Sequence, residues 1–167
     1  MEAATRELGM VRICPFTMQD YDAVPQLLYL CGLAVGGEAR DQMARKLAQD
    51  PDLFVVAEVN DTIIGMAMGA WDGQRGWVCL LVTDPRFRRM HFGCTLLGEL
   101  EHRLAARGIR DVMALVPGDD MAAQEVFQLC GYATDRTRVI VSKDISTLAA
   151  SGSTSQSGSE GDEPAGR

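Results

Sequence analysis

Between residues 53 and 83 the apolar positions fall in three dense runs, 53–59, 62–71 and 76–83, separated by Asn60-Asp61 and Asp72-Gly73. Runs this short and rich in β-branched residues predict strands, and the polar breaks predict hairpin turns, the first without the glycine such turns prefer. Three strands joined in this way form an antiparallel meander. The third run is apolar almost throughout, which predicts a central strand buried on both faces. On either side the period lengthens to that of a helix. Leu97, Leu100 and Leu104 share one stripe of a helix predicted over 94–107, with Glu99, Glu101 and Arg103 mostly outside and Gly108 just past its end. Met43 and Leu47 stand four apart on a helix over 39–49, which Asp50-Pro51 stops.

Shorter signals fill in the rest. Residues 11–14 predict a first strand, 112–116 a later one and 138–142 the last, with room for one short strand near Tyr132. Thr17 offers a helix N-cap with Asp20 three residues on. Pro25 is tolerated only in a first turn, so that helix can instead begin at Asp22. Asp119 or Asp120 caps a further helix that runs through Leu129 and ends at Gly131. The order is β-α-α-β-β-β-α-β-α-β, and the step from 76–83 through 94–107 to 112–116 is a β-α-β unit, where a parallel pair is expected. The fold class is α/β: a mixed sheet flanked by about four helices, in one domain over 10–146. Residues 1–9 read as a flexible lead-in, and 147–167, all Ser, Gly and acidic character, as a disordered tail.

Composition narrows the function. A chain of 167 residues, 47% hydrophobic and 23% charged, has the material for one globular core. No apolar run approaches the ~18 residues of a membrane span, and the N-terminal residues carry no secretory pattern. The net charge of −7 argues against nucleic acid as a partner. The five cysteines are odd in number, widely spaced and without a CxxC, and the two histidines share no ligand spacing with them. Reduced thiols, a cytoplasmic setting and no metal are therefore expected.

Against this acidic background one basic cluster stands out: Arg86, Arg88 and Arg89, between the end of the 76–83 run and the helix that follows. A helix N-terminus has amides without internal partners and carries partial positive charge, and arginines add charge-assisted donors. Gly93 lets the backbone approach closely. The segment therefore suits a phosphate-bearing ligand.

The run Arg88-Arg89-Met90-His91-Phe92-Gly93 resembles motif A of the GNAT acetyltransferases, Q/R-x-x-G-x-G/A after a hydrophobic strand. The strand text Ala57-Glu58-Val59-Asn60 and Ile64-Gly65-Met66 is similar too, as is Phe127-Gln128-Leu129-Cys130-Gly131-Tyr132, which looks like the family's closing Y-x-x-x-G-F/Y. The likeness spans about residues 11–144 and is greatest to small single-domain bacterial acetyltransferases. It implies a GNAT fold, acetyl-CoA as cosubstrate, and direct transfer of the acetyl group to an amine of a small molecule or peptide. It places the pantetheine beside Leu81, Val82 and Thr83, and the pyrophosphate on Arg88, Arg89, Met90, His91, Phe92, Gly93 and Cys94. The acceptor would enter near the loop 31–38, with Cys31, Trp71 and Trp77 as candidate contacts. Exposed strands of this fold also leave room for a homodimer. Two positions depart from the pattern: His91 stands at the first motif glycine, and Phe127 where the family often has a tyrosine proposed as general acid. Tyr29, Cys79 and Cys130 are the replacement candidates for a proton-transfer role, and a CoA-binding module with impaired catalysis is the alternative reading.

Overall fold

A computed structural model describes residues 10–34, 36–88 and 90–145; the expected lead-in over 1–9, the expected tail over 147–167, Val35 and Arg89 lie outside the described residues. The three apolar runs form β2 (Phe54–Val59), β3 (Thr62–Trp71) and β4 (Gly76–Thr83), joined as the meander the sequence predicts. With β1 (Arg12–Pro15) and β5 (Val112–Ala114) they make one sheet in the order β1-β2-β3-β4-β5, antiparallel except for the last pair. Asn60 and Asp61 both take positive φ, +49° and +58°, the conformation of a type I′ hairpin turn.

Helix α1 (Val24–Leu30) follows a 3-10 turn at Met18–Ala23, which places Pro25 in the first turn of α1. Thr17 and Asp20 cap that turn reciprocally. Helix α2 spans Ala39–Gln49, α3 Phe92–Ala106 and α4 Met121–Leu129, the last capped by the Asp120 carboxylate, which accepts from Ala123 N–H at 2.9 Å. Both α3 and α4 end in a Schellman arrangement. Gly108 and Gly131 sit at φ +81° and +91°, and the next amides, of Ile109 and Tyr132, donate back to Leu104 O and Phe127 O.

Helix α3 lies very close to the sheet because glycines make room for it. A Cβ on Gly65 would stand 2.9 Å from a Leu96 methyl, one on Gly69 2.8 Å from a Leu100 methyl, and one on Gly76 3.0 Å from a Leu104 methyl. The three leucines are one helical turn apart, so a leucine stripe beds along a glycine track on β3 and β4. All three are fully buried, with Leu53, Val55, Ala57 and Ala67 beneath them. On the other face of the sheet, Phe16, Val24, Leu27 and Leu28 pack on Phe54, Val56 and Met66. Buried Asp50 binds Lys46 and Arg107, and Arg107 also pairs with Asp52, which ties the end of α2 to the end of α3.

Three expectations are corrected. First, β4 is not buried on both faces along its length. A register shift opposite Met68 and Gly69 leaves Cys79 as an extra residue on β4, exposed, with Leu80 and Leu81 half-buried. Second, no strand forms over 138–142 or near Tyr132. The chain divides into a unit ending at Ala133 and a second beginning at Thr134. In the described part of the second, Val139, Ile140 and Val141 stand 71–88% exposed, and Asp135 folds its carboxylate back on Thr137 N–H at 2.8 Å. A β-prone run forms a strand only where a neighbour supplies the ladder bonds. Third, not all cysteines are free, as described below. No described helix is long and apolar enough to cross a membrane.

The β3–β4 turn makes a prediction of its own. The Asp72 carboxylate accepts from Arg75 N–H at 2.7 Å, Trp77 Nε1 at 2.8 Å and Gln74 N–H at 2.9 Å, and these bonds lower its pKa to about 2. A depressed carboxylate contributes stability above its unfolded pKa and loses it as pH falls through the folded value. Asp72→Asn should therefore lower the denaturation midpoint at pH 5, and the gap to wild type should close as pH approaches 2. A gap that stays constant with pH would contradict this role.

Candidate functional site

The parallel pairing of β4 with β5 covers only Gly76↔Val112, Trp77↔Met113 and Val78↔Ala114. Beyond Val78 the two strands part, and residues 79–83 of β4 face the gap with no strand on that side. The amide of Asp84 points the other way, donating to Ile64 O at 2.8 Å. Backbone direction alternates along a strand, so the amides and carbonyls of Leu81 and Thr83 point into the gap. One of these groups is engaged: the Cys31 thiol, at the C-terminus of α1, donates to Thr83 O at 3.4 Å. Burial raises the pKa of that thiol, against the opposing pull of Arg88.

The gap opens on the start of α3. The first intrahelical bond runs from Thr95 N–H to His91 O at 3.0 Å, so the amides of Phe92, Gly93 and Cys94 precede any helical acceptor. A Cβ on Gly93 would lie 3.4 Å from Val126 Cγ1 and 3.7 Å from Thr83 Oγ1, which puts this glycine in a notch between α4 and the end of β4. His91, the residue before the helix, takes φ +60°. A side chain disfavours this left-handed conformation and glycine does not. His91 therefore holds, with a side chain, a conformation that glycine takes without strain.

The two described arginines of the cluster, Arg86 and Arg88, separate. Asp84 is buried and receives Arg86 through its amide at 2.9 Å, Nε at 3.1 Å and Nη2 at 2.6 Å. The Arg86 hydrogen bonds hold the Asp84 carboxyl below its ordinary range, against burial. Arg86 therefore braces the loop, its charge paired with Asp84 while its side chain stays exposed. Arg88 is exposed and joins no ion pair among the described residues. Met90 is half-buried between it and the helix.

Helix α4 closes the far side. Phe127 packs edge-on against Tyr132 at 5.1 Å, both on the main core. The Tyr132 hydroxyl is buried, and burial with the nearby Glu101 carboxylate pushes its pKa well up, so Tyr132 is a packing residue and no proton donor. Cys130, at the end of α4, forms a disulfide with Cys94 in the first turn of α3, their Cα atoms 5.8 Å apart. This corrects the expectation of reduced thiols throughout. Cysteines 36 residues apart in sequence gave no spacing signal, and the fold brings them together. It also removes Cys130, in this form, as a proton donor.

The other candidates scatter. Tyr29 is 79% exposed on α1, and Cys79 projects from the β4 bulge. Trp71 and Trp77 flank the Asp72 turn at the start of β4, about 20 Å of strand from Thr83, so they do not join Cys31. On the α1–α2 side, a hollow of about 220 Å³ is lined by Leu28, Ala34, Gly36, Met43, Lys46 and Met68, beneath the loop expected to admit the acceptor. A wider cleft of about 400 Å³ carries Asp20, Asp22, Glu58, Asp61 and Asp84, but each carboxylate already has a partner: Thr17, Arg40, Arg12, Arg12 and Arg86 respectively. Among the described residues no group of His, Cys, Asp or Glu could hold a metal ion.

Comparison with known proteins gives a consistent result. The Acetyltransferase (GNAT) family profile matches residues 20–132. An acetyltransferase of Yersinia pestis (strain Pestoides F) is 36% identical over 123 residues, 73% of this chain and 87% of that protein. An acetyltransferase of Pectobacterium atrosepticum is 37% identical over 120 residues, 71% of this chain and 85% of its own length. Among solved structures, the aminoglycoside N-acetyltransferase AAC(6')-Iy in complex with CoA superposes with TM-score 0.70 at 16% identity, over 84% of this chain and 97% of that one. A PaiA N-acetyltransferase from Thermoplasma acidophilum in complex with coenzyme A gives 0.67 at 14%, over 75% and 91%. At those identities the structures speak to the fold.

Proposed function

Because this chain belongs to the acetyltransferase (GNAT) family, we propose that it transfers the acetyl group of acetyl-CoA to an amine of a small molecule or peptide. The observation that carries this reading is the parting of β4 from β5 after Val78, beside the first-turn amides of α3. The gap offers an extended, amide-bearing ligand the backbone of Leu81 and the Thr83 amide, and the helix start offers its phosphates a cradle. The residues present fit acetyl-CoA on both counts.

Each part then has a task. The Leu81 amide and carbonyl and the Thr83 amide hold the pantetheine arm as an added strand. The amides of Phe92, Gly93 and Cys94, with Arg88 and Arg89, hold the pyrophosphate. When bound, acetyl-CoA supplies a thioester open to attack by an amine. The hollow under the 31–38 loop supports an acceptor arriving from the α1–α2 side. Phe127 stands where a tyrosine would donate a proton, and a phenyl ring has none to give. A thiol of pKa about 8.5 leaves tolerably without one.

The test is calorimetric titration of the full chain with acetyl-CoA and with desulfo-CoA, followed by turnover on an amine panel. Micromolar binding of both is expected. Arg88→Ala should weaken that binding about fivefold, the loss of one exposed charge-assisted contact. Unchanged affinity would remove Arg88 from the phosphate site, and no binding to folded wild type would overturn the reading.

A second reading, a CoA-binding module with impaired catalysis, draws on Phe127 and on the left-handed His91. Binding without turnover on any amine would favour it.

A further inference from the structure

The Cys94–Cys130 disulfide lies in the phosphate cradle itself. Cys94 contributes one of the three first-turn amides of α3, and Cys130 closes α4, the helix that forms the outer wall of the notch around Gly93. The remaining described cysteines are unpaired: Cys14 and Cys31 half-buried, Cys79 exposed. The one covalent cross-link among the described residues thus joins α4, one wall of the notch, to α3, whose Gly93 sits in it. Val126 also faces Gly93, and the Phe127 and Tyr132 rings pack on the core behind.

We infer that Cys94 and Cys130 form a reversible redox clasp that controls CoA affinity, the disulfide form binding more tightly. The inference rests on the CoA site proposed above. With the bond closed, α4 is fixed across the first turn of α3 and the amides are held in place before ligand arrives, so less ordering is left for binding to supply. With the bond open, α4 is held to α3 by side-chain packing alone. A free Cys94 thiol would also stand in a helix first turn, where the thiolate is favoured, and a thiolate beside the cradle repels pyrophosphate. Both effects act in the same direction.

The exchange balances with a low-molecular-weight disulfide as oxidant. The Cys94 thiolate attacks one sulfur of that disulfide, giving a mixed disulfide and releasing one thiolate. The Cys130 thiolate then attacks the Cys94 sulfur, closing the protein bond and releasing the second. Two protein thiols are oxidised, one external disulfide is reduced to two thiols, and two protons pass to solvent or to the departing thiolates.

The experiment compares the full chain poised in oxidised glutathione with the chain reduced by a phosphine, each cleared of reagent and titrated calorimetrically with desulfo-CoA. That ligand has no thiol and cannot itself enter the exchange. The disulfide form should bind about fivefold more tightly, a coupling of ordinary allosteric size. By reciprocity, saturating desulfo-CoA should shift a glutathione redox titration, read by alkylation and peptide mass mapping, toward the disulfide by the same factor. The Cys94→Ser/Cys130→Ser double variant, which can form neither the clasp nor a mixed disulfide at these positions, should bind equally under both conditions and more weakly than the disulfide form, with circular dichroism checking that it is folded. Equal affinity of the two forms, or failure of Cys94 and Cys130 to pair at any glutathione ratio, overturns the clasp while leaving the CoA site standing. Binding in neither form overturns both.

Discussion

Cutting Leu100 back to alanine is expected to lower folding stability by about 3 kcal/mol, read as a fall in the urea midpoint at unchanged slope. Leu100 is fully buried, and one of its methyls fills the space above Gly69, where an added Cβ would lie only 2.8 Å away. Removing it opens a cavity at the closest approach of α3 to the sheet. For a domain of this size about 3 kcal/mol is a large share of the total. The converse change, Gly69→Ala, should itself cost about 1–3 kcal/mol through overpacking. Combined, the two should cost less than their sum by about 1 kcal/mol, because the added methyl enters the space the leucine leaves. Compensation stays partial because a Cβ at position 69 would still meet Trp77 O at 3.2 Å, and backbone cannot yield as a side chain does. Strict additivity would mean that the helix and the strand are not in direct contact at this point.

The period of Leu97, Leu100 and Leu104 was legible in the sequence, although Leu96 and not Leu97 beds on the glycines, and β3 and β4 begin and end where their apolar runs do. The glycine track beneath α3 was not. Gly65, Gly69 and Gly76 read singly as strand interruptions, and their common purpose appears only when α3 is laid across them. The same limit applies around the site. Sequence placed a basic loop before a helix N-terminus, but only the structure shows that Asp84 takes Arg86 out of the cluster, leaving Arg88 exposed. Nor could the pattern of β4 reveal that its pairing with β5 stops at Val78, because parting strands have the same composition as paired ones. Cysteine spacing misled for a related reason: spacing rules detect neighbours in sequence, and Cys94 meets Cys130 only through the packing of two helices. The predicted strand at 138–142 failed from the opposite side, since local propensity alone does not make a strand and Val139, Ile140 and Val141 stand exposed.

Phe127→Tyr is expected to raise kcat on an accepted amine about tenfold while leaving the Kd for acetyl-CoA unchanged. The phenyl ring is already held edge-on by Tyr132 at 5.1 Å on the side of α4 that packs on the core, and tyrosine keeps that ring and adds one hydroxyl at its tip. The added group would restore a proton donor at the position where the family often has one. General acids commonly contribute about 10²–10⁴-fold. The gain here sits below that range because a thiolate of pKa about 8.5 needs little assistance near neutral pH. The split between the parameters is what identifies the role: a change confined to kcat marks an interaction made only as the bond breaks, whereas a change in Kd would mark repacking of the cradle through α4. Phe127→Leu serves as the control, since it disturbs the same packing and brings no donor, and should not raise kcat. If the tyrosine leaves kcat where it was, proton donation at this position does not limit the enzyme, and Phe127 acts through packing alone. If kcat rises, the impaired-module reading reduces to a single missing hydroxyl on an otherwise complete acetyltransferase site.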